Sequence, residues 1–125
     1  MPKLPANTSA SERIRAEVIR LVALIPSGKF TTYGSIAHHM NIGPRQVASV
    51  MSRLSPEESA HLPWHRVVGA DARLSPNMDP DLRQRQWKLL EEEGMSINLK
   101  GFIQQDEAHF HSVGVRRNIR WSQPN

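Results

Sequence analysis

Residues 33–54 read YGSIAHHMNIGPRQVASVMSRL, and this stretch decides the fold. Apolar residues recur at helical spacing on both sides of Asn41-Ile42-Gly43, which is a sequence typical of a tight turn. The pattern predicts a helix over residues 33–40 and a second helix over residues 44–54. The second helix begins at Pro44, because proline fits the first turn of a helix. Two short helices joined by a glycine-containing turn predict a helix-turn-helix.

The remaining elements follow from the same periodicity and from turn-forming residues. Before the helix-turn-helix, we predict a helix over 11–26 capped by Ser11, and Thr31 or Thr32 is expected to cap the first helix of the helix-turn-helix. After it, we predict a loop over 55–59 and a β-hairpin that pairs 66–68 with 73–74. A helix over 81–93 that ends at Gly94 and a short strand within 95–103 complete the predicted elements. A helix-turn-helix beside a small β-hairpin predicts a mainly α, winged helix-turn-helix-like DNA-binding domain.

The length of 125 residues favours a single domain. We expect a flexible leader over residues 1–10, a DNA-binding domain over 11–104 and a polar C-terminal tail over 105–125. No run of eighteen apolar residues occurs, so no membrane span is predicted. The absence of cysteine excludes disulfides and thiolate metal sites, and it fits a reducing compartment. We expect a monomer in the cytoplasm, nucleoid-associated in a bacterium or nuclear in a eukaryote.

The chain is basic, with a net charge of +4 and an isoelectric point near 10.1. Of its 16 basic residues, 12 are arginine, whose planar guanidinium suits phosphates and base edges. This balance is typical of nucleic-acid-binding domains, although a small positive charge also keeps an unrelated protein soluble. Composition alone therefore leaves both interpretations open, and the motifs have to decide between them.

Four segments carry a resemblance to a known family. They are IPSGKFTTYGSIA at 25–37, PRQV at 44–47, PWHRVV at 63–68 and LLEEEG at 89–94. In this order and spacing they resemble the DNA-binding, C-terminal domain of the O6-alkylguanine-DNA alkyltransferases. The motif at 63–68 resembles that family's Pro-Cys-His-Arg-Val site, with Trp64 in the position of the reactive cysteine. The chain thereby resembles the alkyltransferase-like proteins, the non-catalytic relatives of this family.

The substitution at Trp64 bears on chemistry, because alkyl transfer needs a thiolate nucleophile and an indole cannot replace it. The resemblance implies a protein that is not an enzyme and needs no cofactor or metal. It implies binding to O6-alkylguanine in double-stranded DNA, with the lesion flipped out of the duplex. It also implies handover of the lesion to nucleotide excision repair proteins.

The resemblance places a lesion pocket at Tyr33, Trp64, His65, Val67 and Arg73. Trp64 is expected to form a wall that stacks on the flipped base, and Tyr33 to assist rotation of the nucleotide. Arg73 is expected to supply the basic group over the lesion, because the loop at residues 75–80 contains none. The plainer alternatives are a core tryptophan at position 64 and a tyrosine packed beneath the helix-turn-helix.

The DNA-binding residues implied by the resemblance lie on and beside the second helix of the helix-turn-helix. They are Thr32, Tyr33, Arg45, Gln46, Ala48, Ser49 and Ser52. In this family that helix enters the minor groove, and small residues allow its close approach. Arg45 is expected to fill the gap left by the flipped base. The alternative for Arg45 is an ordinary solvated arginine, although a cation is unfavourable at a helix N-terminus.

Two further expectations concern the residues that hold the motif in place. His65 and Glu93 are expected to form a structural hydrogen-bonded pair, and Arg66 to hold the motif to the core. A competing hypothesis is a hydrolytic enzyme in which His65 and Glu93 activate water. Another is a transcription regulator that reads undamaged DNA through the helix-turn-helix. The pattern His109-Phe110-His111 is a weak indication of a metal site, and a polar tail explains it better.

Overall fold

The computed structural model describes residues 9–121, and the predicted leader lies outside the described residues except for Ser9 and Ala10. Most of the regular structure is helical, which confirms the predicted fold class. The helices and strands are α1 (Ala10–Ala23), β1 (Thr31–Thr32), α2 (Tyr33–Met40), α3 (Pro44–Ser52), α4 (Pro56–His61), β2 (Val67–Val68), α5 (Pro80–Glu92) and α6 (Asp106–His109). None of the helices within residues 9–121 is long and apolar enough to cross a membrane.

The helix-turn-helix forms where the sequence predicts it, from α2 and α3. Thr32 caps α2, since its hydroxyl accepts a hydrogen bond from the Ser35 amide at 3.0 Å. Asn41 ends α2 in the left-handed conformation at φ 60°, which asparagine tolerates better than most residues. Pro44 occupies the first turn of α3, and this helix ends at Ser52, two residues earlier than predicted.

The first helix starts and ends earlier than predicted. Its N-cap is Ser9 and not Ser11, because the Ser9 hydroxyl accepts a hydrogen bond from the Glu12 amide at 3.2 Å. Serine followed three residues later by glutamate is a strong capping pattern, which Ser11 lacks. The helix stops at Ala23, since Ile25 precedes Pro26 and a residue before proline is disfavoured in helical conformation.

The prediction of a loop over residues 55–59 is wrong, because the structure has helix α4 there. Ser55 and Glu58 cap it reciprocally, with 3.1 Å from the Glu58 amide to the serine oxygen and 2.9 Å from the Ser55 amide to the glutamate carboxylate. Pro56 stands at its first position. The sequence Ser-Pro-Glu-Glu contained this capping box, which stabilises even a short helix.

The predicted hairpin gave β2 the wrong partner. Val67 and Val68 pair in parallel with Thr31 and Thr32. The only part of the hairpin that forms is one antiparallel bridge between Gly69 and Arg73, with 2.8 Å from the Gly69 amide to the Arg73 carbonyl. The intervening residues coil into a 3₁₀ turn instead of a flat loop. In the predicted strand over 95–103, pairing is confined to isolated bridges.

The parallel pairing of β1 and β2 divides the core and positions the two motifs. Val67 packs into a cluster with α1, α2 and α3, whereas Val68 packs into a second cluster around Phe30, Leu74 and Leu90. Side chains alternate along a strand, so neighbouring valines reach both clusters. Because β1 leads into α2 and β2 follows the PWHR turn, the pairing brings these segments side by side.

Helix α5 covers the second cluster and runs close to its predicted range, from Pro80 to Glu92. Its buried residues are Gln86 and Leu90, whereas Leu82 is 45% exposed. The Gln86 amide donates hydrogen bonds to the carbonyls of His65 and Val67 at 3.1 and 3.0 Å. The helix therefore supports the PWHR turn from behind.

The C-terminal residues up to 121 pack against α1 and α2. The Trp121 indole donates to the Met40 carbonyl at 2.8 Å, and the buried His39 ring bonds the Val115 carbonyl at 2.7 Å. Arg13 of α1 donates to the Trp121 carbonyl at 3.0 Å. These contacts close the outer side of the helix-turn-helix.

Glu93 joins three parts of the fold through one carboxylate. It accepts hydrogen bonds from His65 at 2.7 Å, from Arg66 at 2.8 to 3.1 Å and from the Gly28 amide at 3.0 Å. Arg66 also donates to the Ile25 carbonyl at 2.8 Å. Burial raises the pKa of Glu93, but hydrogen bonds from Arg66, His65 and Gly28 outweigh it and bring the pKa to about 2.

The variant Glu93→Gln tests this junction. It should lower the free energy of unfolding by about 2–4 kcal/mol at neutral pH, because it removes the charge that partners the largely buried Arg66. A carboxyl with a lowered pKa stabilises the fold above its unfolded pKa, and this stability is lost as the pH falls from about 4.5 towards 2. In urea unfolding, the difference in the free energy of unfolding between the unsubstituted protein and the Glu93→Gln variant should therefore become smaller over this pH range. A difference that stays constant with pH would contradict the assignment.

Candidate nucleic-acid interface

A cleft of about 660 Å³ opens between α3 and α4 on one side and α5 on the other. Its wall includes Tyr33, Ala48, Met51, Ser52, Trp64, Val67, Met78, Leu82, Arg85 and Gln86. The volume lies in the range of small-molecule sites, and apolar groups with a few polar ones are typical of such sites. The cleft is therefore large enough to take up a flat aromatic group.

Two aromatic side chains meet at this cleft because the β1–β2 pairing aligns their segments. Tyr33 is the first residue of α2, and Trp64 begins the turn that leads into β2. Trp64 is half-buried and lies edge-on to the His65 ring at 6.2 Å between centroids. It lines the cleft and is not part of either buried cluster.

Tyr33 combines a packing role with a place in the cleft. It is partly buried against the first core cluster, and it lines the cleft as well. Burial raises the pKa of the Tyr33 hydroxyl above its ordinary value. The hydroxyl therefore stays protonated at neutral pH and can donate a hydrogen bond.

Of the other predicted pocket residues, the structure places only Val67 in the wall. His65 points to Glu93. Arg73 lies elsewhere, with its side chain donating to the Lys100 carbonyl at 3.2 Å and its guanidinium 5.1 Å from the Phe102 ring. The bridge that pairs Arg73 with Phe102 turns it away from the cleft. The expectation that Arg73 covers the lesion is thus corrected.

The basic residue that does line the cleft is Arg85, which was not predicted from the sequence. A signal was present, because Leu82, Arg85 and Gln86 have the spacing of residues on one helical face. Arg85 is exposed, and its charge lies at the mouth of the cleft.

Helix α3 presents the predicted DNA-binding residues in three different settings. Ala48 and Ser52 line the cleft, and the Ser52 hydroxyl donates to the Ser49 carbonyl at 2.9 Å. Gln46 caps its own helix, since its side-chain oxygen accepts from the Gly43 amide at 2.8 Å. Arg45 is exposed, and within residues 9–121 its guanidinium has no hydrogen bond or ion pair.

Small side chains leave the outer face of α3 shallow, with Arg45 near one end and the exposed Arg53 at the other. Arg85 adds a third cation across the cleft. Such a surface suits a polyanion that approaches the helix backbone closely.

No metal site accompanies the cleft in the part of the chain that the structure describes, where no group of three or more His, Asp or Glu side chains could hold an ion. His109, which belongs to the weak metal pattern, instead bonds the Gly28 carbonyl at 3.1 Å.

Comparison with known proteins shows similarity over most of this structure. Residues 13–95 match the 6-O-methylguanine DNA methyltransferase DNA-binding domain. Alkyltransferase-like protein 1 of Schizosaccharomyces pombe is 41% identical over 83 residues, which cover 65% of this chain and 75% of that protein. The DNA base-flipping protein of Escherichia coli K12 is 44% identical over 88 residues, which cover 69% of this chain and 65% of that protein, just under two thirds.

Among solved structures, the chain is similar to S. pombe Atl1 in complex with damaged DNA containing O6-carboxymethylguanine. The TM-score is 0.62 at 39% identity, and the alignment covers 69% of this chain and 80% of that chain. The profile match spans more than half of the 125 residues. The chain therefore belongs to the 6-O-methylguanine DNA methyltransferase DNA-binding-domain family and, within it, to the alkyltransferase-like proteins.

Proposed function

We propose that this protein recognises alkylated guanine in DNA without repairing it. In this proposal, O6-alkylguanine flips out of the duplex and enters the cleft between Tyr33, Trp64 and α3. The observation that carries the proposal is the position of Trp64, an aromatic wall where the alkyltransferase motif has its thiol. Support comes from a relative named a DNA base-flipping protein and from the Atl1 complex with damaged DNA.

The energetics of flipping assign a role to each exposed group. Extruding a base costs a few kcal/mol, because stacking and pairing are lost. Stacking of the base on the Trp64 ring offsets part of this cost, at about 1–3 kcal/mol per base. Arg45 has no partner within residues 9–121, so its guanidinium is available to enter the gap and stack on the neighbouring bases.

Entry of α3 into the minor groove fits the small side chains of Ala48 and Ser52. The minor groove presents a degenerate pattern of hydrogen-bonding groups. A protein that searches for damage in any sequence context gains from this degeneracy, since it has no need to read individual bases.

The proposal excludes chemistry on the bound base. The chain has no cysteine to accept an alkyl group. Hydrolysis by His65 and Glu93 is disfavoured, because both side chains are engaged with each other and Glu93 also holds Arg66. A carboxylate whose pKa is about 2 is a weak general base at neutral pH.

Binding without a covalent step leaves the complex reversible. The lesion would then pass to nucleotide excision repair proteins, and the protein would reside where the DNA is, at the nucleoid in a bacterium or in the nucleus of a eukaryote. The direct test is a titration of matched duplexes that contain guanine or O6-methylguanine, with a labelled methyl group to detect transfer. We expect tighter binding to the lesion and no label on the protein. Equal affinities, with preference for one undamaged sequence, would favour a transcription regulator instead.

Trp64→Ala should weaken binding to the O6-methylguanine duplex by about tenfold or more and leave the guanine duplex nearly unaffected, because stacking is lost only for the flipped base. Fluorescence anisotropy with both duplexes measures this. Trp64→Phe is the matched control and should retain most of the preference, since it keeps an aromatic face. Equal losses on the two duplexes would show that Trp64 does not contact the lesion.

Two arginines, one at the start of α3 and one just after its end, separate flipping from general attraction to DNA. Arg45→Ala should reduce lesion binding more than binding to undamaged DNA, because the inserted guanidinium acts only when a base has left the stack. Arg53→Ala should weaken both duplexes by a similar, smaller factor, since it offers only a charge near the phosphates. The ratio of the two affinities is the readout, and the same ratio in both variants argues against insertion of Arg45.

Salt dependence tests DNA as the partner. If Arg45, Arg53 and Arg85 each neutralise one phosphate, affinity should fall by about 40-fold between roughly 50 and 200 mM salt, through counterion release. In a plot of log affinity against log salt concentration, Arg85→Ala should make the slope less steep by the amount expected for about one phosphate contact. A response that is flat with salt contradicts phosphate binding by this face.

A further inference from the structure

A second concavity lies on the other side of α5 from the cleft. It measures about 900 Å³, and its walls are one face of α5, the loop before it and residues 99–100. We refer to it as the cationic groove, defined by Arg73, Arg83, Trp87, Lys88, Leu99 and Lys100. Nothing in the proposed lesion binding uses these residues.

The two arginines of the groove each place the guanidinium over an aromatic ring. The Arg83 guanidinium lies 5.4 Å from the Trp87 ring, and that of Arg73 lies 5.1 Å from the Phe102 ring. Stacking fixes the plane of a guanidinium and leaves N–H groups along its edge to bind a carboxylate in bidentate geometry.

Arg83 also packs closely against Gly101. A side chain at Gly101 would collide with its guanidinium, so glycine permits this packing. The buried Nε of Arg83 has no hydrogen-bond partner among residues 9–121. A buried donor without a partner is unfavourable.

Charge and apolar surface together indicate the chemistry of an occupant. The wall carries four cations, on Arg73, Arg83, Lys88 and Lys100, against the single carboxylate of Glu91. Beside them Leu99 is 98% exposed, and two prolines and Met78 extend the apolar surface. The phosphates of a duplex would engage the cations but would offer no apolar contact to the exposed leucine.

We propose that the cationic groove binds an acidic segment of a partner protein that also carries an apolar side chain. Its carboxylates would pair with Arg83, Lys88 and Lys100, and its apolar side chain would cover Leu99. This goes beyond lesion binding, because it needs no DNA.

The position of the groove relative to the cleft allows both sites to be occupied together. Within residues 9–121, Met78 is the one residue that lines both spaces. Helix α5 turns Arg83 and Trp87 towards the groove, and Arg85 and Gln86 towards the cleft. A protein segment in the groove would therefore lie beside a flipped base without displacing it.

The test uses a fluorescent synthetic peptide in which Asp and Glu alternate with Leu and Phe, titrated with the full chain in the absence of DNA. We expect saturable binding, weakened about tenfold by Lys88→Glu. Arg120→Glu is the matched control, because it changes the net charge equally at a residue that does not line the groove, and it should change affinity less than about twofold. Equal losses in the two variants would overturn the proposal, because they would show attraction to net charge alone.

Two further measurements test the apolar contact and test DNA as a competing ligand. Leu99→Ser, or a peptide with Ser in place of Leu and Phe, should weaken binding severalfold, and no change would refute the apolar contact. An unlabelled O6-methylguanine duplex should leave the peptide bound, whereas competitive displacement would assign the groove to DNA. Lesion preference is measured separately, so its failure would not be confused with failure of peptide binding.

Discussion

The carboxylate of Glu93 is the contact on which the arrangement of the site depends. It lies where α5 ends, and it binds the imidazole of His65, the guanidinium of Arg66 and the amide of Gly28. Arg66 extends the junction to the carbonyl of Ile25, just after the end of α1. One ionised group thus fixes three chain segments that are distant in sequence. Because its hydrogen bonds favour the charged form more than burial opposes it, this group stays ionised across the physiological pH range.

The short parallel sheet completes this arrangement. Two residue pairs are few for a sheet, and they are stable here because both strands are largely buried between the two core clusters. Their importance is positional, since β1 delivers Tyr33 and β2 continues from Trp64. The cleft thus combines an aromatic residue from each segment with the shallow face of α3. The proposed recognition without repair needs only this assembly, since the chain has no cysteine to accept an alkyl group.

Local signals allowed much of the fold to be predicted, and contacts distant in sequence account for most of the rest. The helix-turn-helix is specified by periodicity, by Asn41 and by Pro44, all within a few residues of where they act. The partner of β2 is not local, so the turn-like residues 69–72 suggested a hairpin that exists as a single bridge. Arg73 was predicted to lie over the lesion, but its bridge with Phe102 places it elsewhere. This bridge joins residues distant in sequence, so neighbouring residues gave no sign of it. Helix α4 is different, since its signal was local and was overlooked.

The loop at residues 75–79 has open space on both sides, with Met78 facing each of them. Because this loop borders both the cleft and the cationic groove, a ligand in either one that shifts the loop changes the affinity of the other for its own ligand. This coupling is reciprocal, so a ligand that increases the affinity for a second ligand is itself bound more tightly by the same factor when the second ligand is present. The flexible side chain of methionine can adapt its shape to both sides. The orientation of the Met78 side chain would determine whether the two ligands strengthen or weaken each other's binding.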